Sequence, residues 1–206
     1  MDSTLNILIR TKGVPHNLSN LLSSIRTQDY RGIVRIIVCV DDELAYKYAC
    51  ANLDKSNVVY IKTDFEIKDN SLLYSSVYNT YYNNMLDIVE DGYVWLINGN
   101  DYLSDHTSIS RMMNHACKDS VCLFFVKDNG VMIPNMSKMD KIKSSFKNFN
   151  ALIPYKFAKS VKLKESYIND GSYIEDVIKA AGSHFIANEV IYEIKSNWFL
   201  NGEICG

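Results

Sequence analysis

Apolar residues fall along this chain in two rhythms. Four short runs in the first half, at 5–10, 33–40, 58–61 and 93–97, are rich in β-branched and aromatic residues and read as strands. The last of these, Tyr-Val-Trp-Leu-Ile, is apolar throughout, as a strand buried on both faces must be. Between them the spacing turns helical. Leu18, Leu21, Leu22 and Ile25 follow Pro15, which stands close to a helix start, and a second helix is predicted over about 44–53. Tyr74, Val77, Tyr78, Tyr81, Met85 and Ile88 mark one face of a long third helix. The order is β-α-β-α-β-α-β, which predicts an α/β fold with a mostly parallel central sheet flanked by helices.

The second half is less regular. Ile109, Met112 and Met113 predict a helix, 121–126 a strand, and 131–133 a further short strand. An apolar stretch at 152–155 interrupts a lysine-rich segment. Residues 173–181 predict a helix capped by Gly182, and 190–194 a closing strand. No repeat, low-complexity tract or linker divides the chain, so residues 1–206 are expected to form a single domain.

A parallel sheet gathers the C-terminal ends of its strands at one edge, where open α/β proteins place their ligands. Three polar clusters fall at such ends: Arg10-Thr11-Lys12, Asp41-Asp42-Glu43 and Asn98-Gly99-Asn100-Asp101. Any one of them is ordinary loop polarity, but three at successive strand ends point to a site. Gly-x-Gly-x-x-Gly and Walker patterns are absent, which argues against a dinucleotide enzyme or a P-loop ATPase. Carboxylates and amides at the edge suit ribose hydroxyls and a hard cation better than a backbone phosphate cradle.

Composition adds bounds. A hydrophobic fraction of 47% and a charged fraction of 22% are those of a globular protein. Met1 to Asn6 lacks a basic region ahead of an apolar one, and no apolar run approaches the roughly 20 residues of a membrane helix, so a soluble, cytoplasmic protein without a transmembrane segment is expected. Five cysteines, Cys39, Cys50, Cys117, Cys122 and Cys205, without framework spacing suit a reducing compartment. His115, Cys117 and Cys122 lack a suitably spaced fourth ligand for zinc. From Lys138 to Lys164 eight lysines face one acid, Asp140, a balance of +7, so the remainder of a chain of net charge −2 carries −9. Such a run is either a solvated face or a wall facing an anionic donor or acceptor, nucleic acid included.

Taken together, these motifs resemble family 2 glycosyltransferases with the GT-A fold. The resemblance lies in Ile-Arg-Thr-Lys-Gly after the first strand, Ser24-Ile25-Arg26-Thr27-Gln28-Asp29-Tyr30, and the Ile/Val strand ending in Val40-Asp41-Asp42. Asn79 falls where the family often has an Arg-Asn pair, with Tyr78 in place of the arginine. The 96–103 segment matches the Asp-x-Asp strand, Glu175-Asp176 the late Glu-Asp pair, and Gly182 with Val190-Ile191-Tyr192-Glu193 the closing elements. Nearly the whole chain is covered.

The resemblance implies an inverting transfer of a sugar from a nucleotide-sugar donor to a hydroxyl acceptor. It implies that Thr11, Lys12, Asp42, Asn79, Asn98 and Asn100 meet the donor. Asp176 would act as general base on the acceptor hydroxyl, with Glu175 orienting the acceptor or serving structure. Without the resemblance, Glu175-Asp176 reads as an acidic pair in the first turn of a helix. The family's Asp-x-Asp carboxylates hold a divalent cation, Mn²⁺ or Mg²⁺, that neutralises the departing diphosphate. Here both are amides, Asn98 and Asn100, which hold such an ion weakly. Three outcomes stay open: metal bound through Asp101 and Asn100, lysines of the basic segment in its place, or a domain that no longer transfers sugars. The alternatives to an enzyme of this kind are a non-catalytic nucleotide-sugar or glycan binding module and a sugar transferase acting on nucleic acid. His184, at a strand start, is a further candidate ligand.

Overall fold

The computed structural model describes residues 3–11, 15–61, 71–99, 101–103, 105–128, 130–134, 150–164 and 170–194. Strands β1 (Leu5–Thr11), β2 (Val34–Val40), β3 (Val58–Tyr60) and β4 (Tyr93–Asn98) alternate with helices α1 (Pro15–Arg26), α2 (Glu43–Asn52) and α3 (Ser71–Leu86). After them come α4 (Ser108–Asn114), β5 (Val121–Asp128), β6 (Val131–Ile133), β7 (Ala151–Pro154), α5 (Tyr155–Ser160), α6 (Asp170–Ala181) and β8 (His184–Ile194).

One sheet runs β3-β2-β1-β4-β7-β5-β6, with β8 also paired to β5. In the first four strands every pairing is parallel. That follows from helical crossovers between consecutive strands, which return the chain to the starting edge. The second half differs from a purely parallel continuation. β7 pairs antiparallel with both β4 and β5, β6 pairs antiparallel with β5, and only β8 is parallel to β5. The apolar stretch at 152–155 is therefore a joining strand running into the first residue of α5.

Because strand side chains alternate faces, each central strand feeds two cores. Leu5, Ile7 and Ile9 of β1 and Trp95 and Ile97 of β4 pack under α1, α2 and α4. Leu8, Ile37, Cys39, Val94 and Leu96 pack on the other face with Tyr81, Tyr82 and Met85 of α3, Ala158 of α5, and Tyr173, Ile174 and Val177 of α6. The expected helical face of α1 is the buried one: Leu18 and Leu21 are fully covered, Leu22 and Ile25 nearly so. Trp95 closes the first core with an edge-on contact to Tyr192, centroids 5.1 Å apart.

Two boundaries move: β8 begins at His184 rather than at residue 190, and α6 begins ahead of residue 173. Helix α6 begins at Asp170, where the polar Asp-Gly-Ser start precedes the first apolar residue, so Glu175 and Asp176 stand in its second turn. A first-turn dipole role for the pair is thereby removed. Its C-terminal end lies where expected: Gly182, at φ +72°, turns the chain while its N–H reaches Ile178 O at 2.9 Å. Among the described residues no helix is long and apolar enough to cross a membrane.

Candidate functional site

The C-terminal ends of β1, β2 and β4 lie side by side, because β1 pairs with β2 on one flank and β4 on the other. Helix α3 follows β3 and precedes β4, so its first turns lie at that same edge. Two tyrosines of its second half hold it to the strand ends. The Tyr82 hydroxyl donates to Ile97 O at 3.1 Å, and the Tyr81 hydroxyl donates to Asp41 Oδ2 at 2.8 Å.

Alternation sorts the predicted site residues by face. Arg10 continues the face of Leu8, Asn98 that of Leu96, and Asp41 that of Cys39, so all three lie on the α3 side. Arg10 and Asn98 are register partners, and Arg10 Nε donates to Asn98 Oδ1 at 2.6 Å. The same guanidinium lies 5.1 Å from the centroid of the Tyr82 ring, a cation–π distance. Asp41 Oδ1 is buried with no hydrogen-bond partner. Burial, and secondarily the Asp41 charge, pushes the Cys39 thiol well above its ordinary value.

Thr11 and Asp42 are directed otherwise. Thr11, 7% exposed, packs against Gly99: a Cβ on that glycine would stand 2.5 Å from both Thr11 Cβ and Thr11 Oγ1. The close approach is what makes residue 99 a glycine, and the Gly99 N–H to Arg10 O bond at 2.7 Å extends the ladder past the strand. Asp42 caps α2, its Oδ1 accepting from Ala45 N at 2.9 Å. Asp42 Oδ1 thus serves a helix end, while its neighbour Asp41 faces the α3 side.

Asn79 is 5% exposed, and its Nδ2 donates to Lys164 O at 2.8 Å. One turn on, Asn83 both donates to Leu163 O and accepts from Leu163 N, each at 2.9 Å. These two amides fasten the 163–164 backbone to α3. Lys164 Nζ in turn lies 3.1 Å from Asp176 Oδ2, and Lys179 Nζ lies 3.4 Å from Asp176 Oδ1. Glu175 contacts only the Lys179 ammonium, at 3.7 Å, among the ion pairs of the described residues. Asn79 and Asp176 are therefore connected through Lys164, on the face that carries Arg10 and Asn98. Lys12 and Asn100 lie outside the described residues.

A divalent cation fits the described members of its expected donor set poorly. Asp101 is 3% exposed, and its Oδ2 accepts from the Asn98 backbone N–H at 3.0 Å. Asn98 Oδ1 already holds a guanidinium. A metal ligated by that oxygen at about 2.1 Å would stand roughly 4 Å from the Arg10 charge. At that separation the repulsion is about 8 kcal/mol for a divalent ion at an effective dielectric of 20. Among the described residues no group of three His, Cys, Asp or Glu side chains could hold a metal.

The remaining candidates lie apart. His115 Nε2 is 2.9 Å from Glu189 Oε2, and Cys122 is buried with its thiol pushed up to about 12, chiefly by desolvation. His184 is exposed at the first position of β8. In the basic segment, Lys138, Lys141, Lys143 and Lys147 lie outside the described residues, while Lys156 is paired with Asp119 at 2.7 Å. Arg10 is the residue that sequence reasoning passed over. Its polar cluster was recognised, but its partner is fixed by the β1–β4 register, which only the fold supplies.

No protein-family model matches the sequence, and no curated protein does. Solved structures do match. Staphylococcus aureus TarS 1–349 in complex with UDP-GlcNAc superposes with a TM-score of 0.70 at 16% identity, over 98% of this chain and 60% of that one. The mannosyltransferase PcManGT from Pyrobaculum calidifontis, in complex with GDP-Man and Mn²⁺, gives 0.68 at 8% identity, over 98% of this chain and 59% of that one. A mycobacterial protein gives 0.61 at 10% identity over 94% of this chain. The chain spans about three fifths of the length of the TarS 1–349 and PcManGT chains. At these identities the likeness establishes the fold.

Proposed function

From the GT-A glycosyltransferase fold as premise, we propose that residues 1–206 form an inverting glycosyltransferase domain acting on a nucleotide-sugar donor and a hydroxyl acceptor. One observation carries the reading. The ends of β1, β2 and β4 lie side by side, with Arg10, Asp41, Asn79 and Asn98 on the face that is covered by α3 and also carries Asp176. The donor class follows the neighbours, which were solved with UDP-GlcNAc and GDP-Man.

In this reading Lys12, Asn79, Asn98 and Asn100 meet the donor, Thr11 and Asp42 serve it from the ends of β1 and α2 that frame the edge, and Asp176 takes the proton of the acceptor hydroxyl. The acceptor oxygen attacks the anomeric carbon opposite the diphosphate. The new C–O bond forms as the bond to the phosphate oxygen breaks, and its electron pair leaves with the diphosphate. Asp176 must first exchange a lysine for the acceptor. Lys164 and Lys179 are 61% and 66% exposed and Asp176 27%, and surface pairs of this kind are worth about 0–1 kcal/mol each. A non-catalytic nucleotide-sugar binding module is the second reading, favoured by the amides at 98 and 100.

Asp176→Asn separates them. Purified wild type and variant are titrated with UDP and GDP and assayed for release of sugar from UDP- and GDP-sugars. The reading expects nucleotide binding in both and turnover in the wild type alone. Turnover retained by Asp176→Asn excludes it as the base, and nucleotide binding without any turnover in the wild type supports the binding module.

A further inference from the structure

Resting on that reading of the site, we infer that Gln28 is a positioning residue for sugar transfer: its amide clamps the chain that follows Asn98, Gly99 and Asp101. The run Ser24 to Tyr30 stands out in the sequence, yet none of its residues meets the donor or the acceptor. Its side chains reach instead for the backbone of Leu103, Asp105 and Ile109.

Ser24 and Gln28 are four residues apart at the end of α1, a spacing that puts two side chains on one side of a helix. Gln28 Nε2 donates to Ser24 O at 3.0 Å and to Asp105 O at 2.8 Å, and its Oε1 accepts from Ile109 N at 3.0 Å. A side-chain amide has two donor hydrogens, so both are engaged and the group cannot turn without losing a long-range bond. Ser24 Oγ donates to Leu21 O at 2.8 Å and accepts from Leu103 N at 3.0 Å. Asp29 N donates to His106 O at 2.9 Å, and the Ser110 hydroxyl donates to the Asp29 carboxylate.

The clamp matters because of where it takes hold. The chain leaving β4 is tied at its entrance: Asn98 N donates to Asp101 Oδ2 at 3.0 Å, Asp101 N to Asn98 O at 3.1 Å and Gly99 N to Arg10 O at 2.7 Å. Its exit is tied by Ser24 at Leu103, two residues past Asp101, and by Gln28 at Asp105 and Ile109. Both anchors of that exit are themselves fixed. Helix α1 is sunk in the first core through Leu18, Leu21, Leu22 and Ile25, and α4 is held to β8 by the Arg111 guanidinium, which donates to Val190 O at 3.0 Å and Ile191 O at 3.1 Å. Asn98 and Asp101 therefore sit between β4 on one side and the α1 clamp on the other. A shift of about 1 Å in such a frame can lower a rate by about a hundredfold.

The test uses the full chain and five variants. Gln28→Met keeps the length of the side chain and removes its amide. Gln28→Glu still accepts from Ile109 N but has no donors, and guards against a folding failure in Gln28→Met. Ser24→Ala removes the hydroxyl that Ser24→Thr retains. Asp54→Ala is the control: it removes a side chain that accepts from Ser56 N ahead of β3, at the opposite edge of the sheet. Each is measured for stability in urea, for UDP and GDP affinity, for kcat and KM of sugar release from UDP- and GDP-sugars, and for amide hydrogen exchange by mass spectrometry.

Gln28→Met should lower kcat by about ten- to a hundredfold, with UDP or GDP affinity within about threefold of wild type. Exchange in peptides covering 105–114 should speed up by about tenfold or more, with β1 and β2 within about twofold. Gln28→Glu and Ser24→Ala should lose less kcat than Gln28→Met, and Ser24→Thr should recover it. Asp54→Ala should lose stability at unchanged kcat.

Wild-type kcat in a folded Gln28→Met or Gln28→Glu overturns the inference and leaves the proposed function standing. Faster exchange spread evenly over the chain, or an equal loss of kcat in Asp54→Ala, does the same, because either marks a general loss of stability. A wild type that releases no sugar from either donor class refutes the transfer reading itself, and this inference with it.

Discussion

Replacing Gly99 with alanine tests the packing that fixes the edge of the site. The added Cβ would stand 2.5 Å from Thr11 Cβ and Oγ1, whereas carbon atoms in contact sit at about 3.5–4.0 Å. The overlap of roughly 1 Å has no easy outlet. Thr11 is 7% exposed and paired with Val40 in the β1–β2 ladder, and Gly99 N is bonded to Arg10 O at 2.7 Å. Either strand end can retreat only by lengthening those bonds. Overpacking of this kind costs about 1–3 kcal/mol. Taking about 2 kcal/mol, Tm should fall by roughly 4–8 °C for a chain of this size. Urea unfolding at 25 °C gives the free energy directly, and the partner substitution makes the reasoning refutable. Thr11→Gly removes both clashing atoms at a cost of its own near 1 kcal/mol, from lost packing and added backbone freedom. If the overlap is the cause, Gly99→Ala/Thr11→Gly should be more stable than the sum of the single variants by at least about 1 kcal/mol, a coupling measurable in a double-mutant cycle. Additive losses, or an alanine variant as stable as the wild type, would refute the steric account.

Two further outcomes follow from the same packing. Asp42→Ala should lower stability by about 1 kcal/mol through loss of the α2 cap, while Asp42→Asn, which can still accept from Ala45 N, should lose only a few tenths; equal losses in urea unfolding would mean the side chain does something other than capping. Cys122 is pushed up to about 12 by burial, so at pH 8.5 it stays almost wholly thiol; with iodoacetamide and mass spectrometry, Cys50 and Cys117, both partly exposed, should label before Cys39 and Cys122, and equal rates would contradict the burial.

The parallel half of the sheet was legible in the sequence because its strands are buried on both faces and end in polar residues. Tyr93 to Ile97 is bounded by Gly92 and Asn98, and four of its five residues are β-branched or aromatic, the pattern of a buried strand. β7 was not legible: four apolar residues among lysines carry no period that separates strand from helix. The start of α6 was misjudged because Asp170, Gly171 and Ser172 precede the first apolar residue and look like loop. Within the site, residue types were readable and partners were not. Asp41 and Asp42 are adjacent in sequence, yet strand alternation sends one toward α3 while the other caps α2. Asn98 reads as a weak metal ligand until the register reveals the arginine beside it. Asn79 is readable as a polar residue on α3, but the contact of its amide with Lys164 O joins residues that no local pattern connects.

The joining strand also bears on how the chain is made. β4 has β1 on one side, and its other edge is covered only when β7 arrives, with Tyr93 opposite Pro154 and Val94 opposite Ile153. A ribosome adds about 5–20 residues per second. Residues 99–150 therefore take roughly 3–10 s to appear, during which a completed four-stranded half presents an apolar strand edge to its surroundings. Such an edge is a template for unwanted pairing with another chain. A chain cut short between residues 100 and 150 lacks β7 and leaves that edge of β4 open to pairing with other chains.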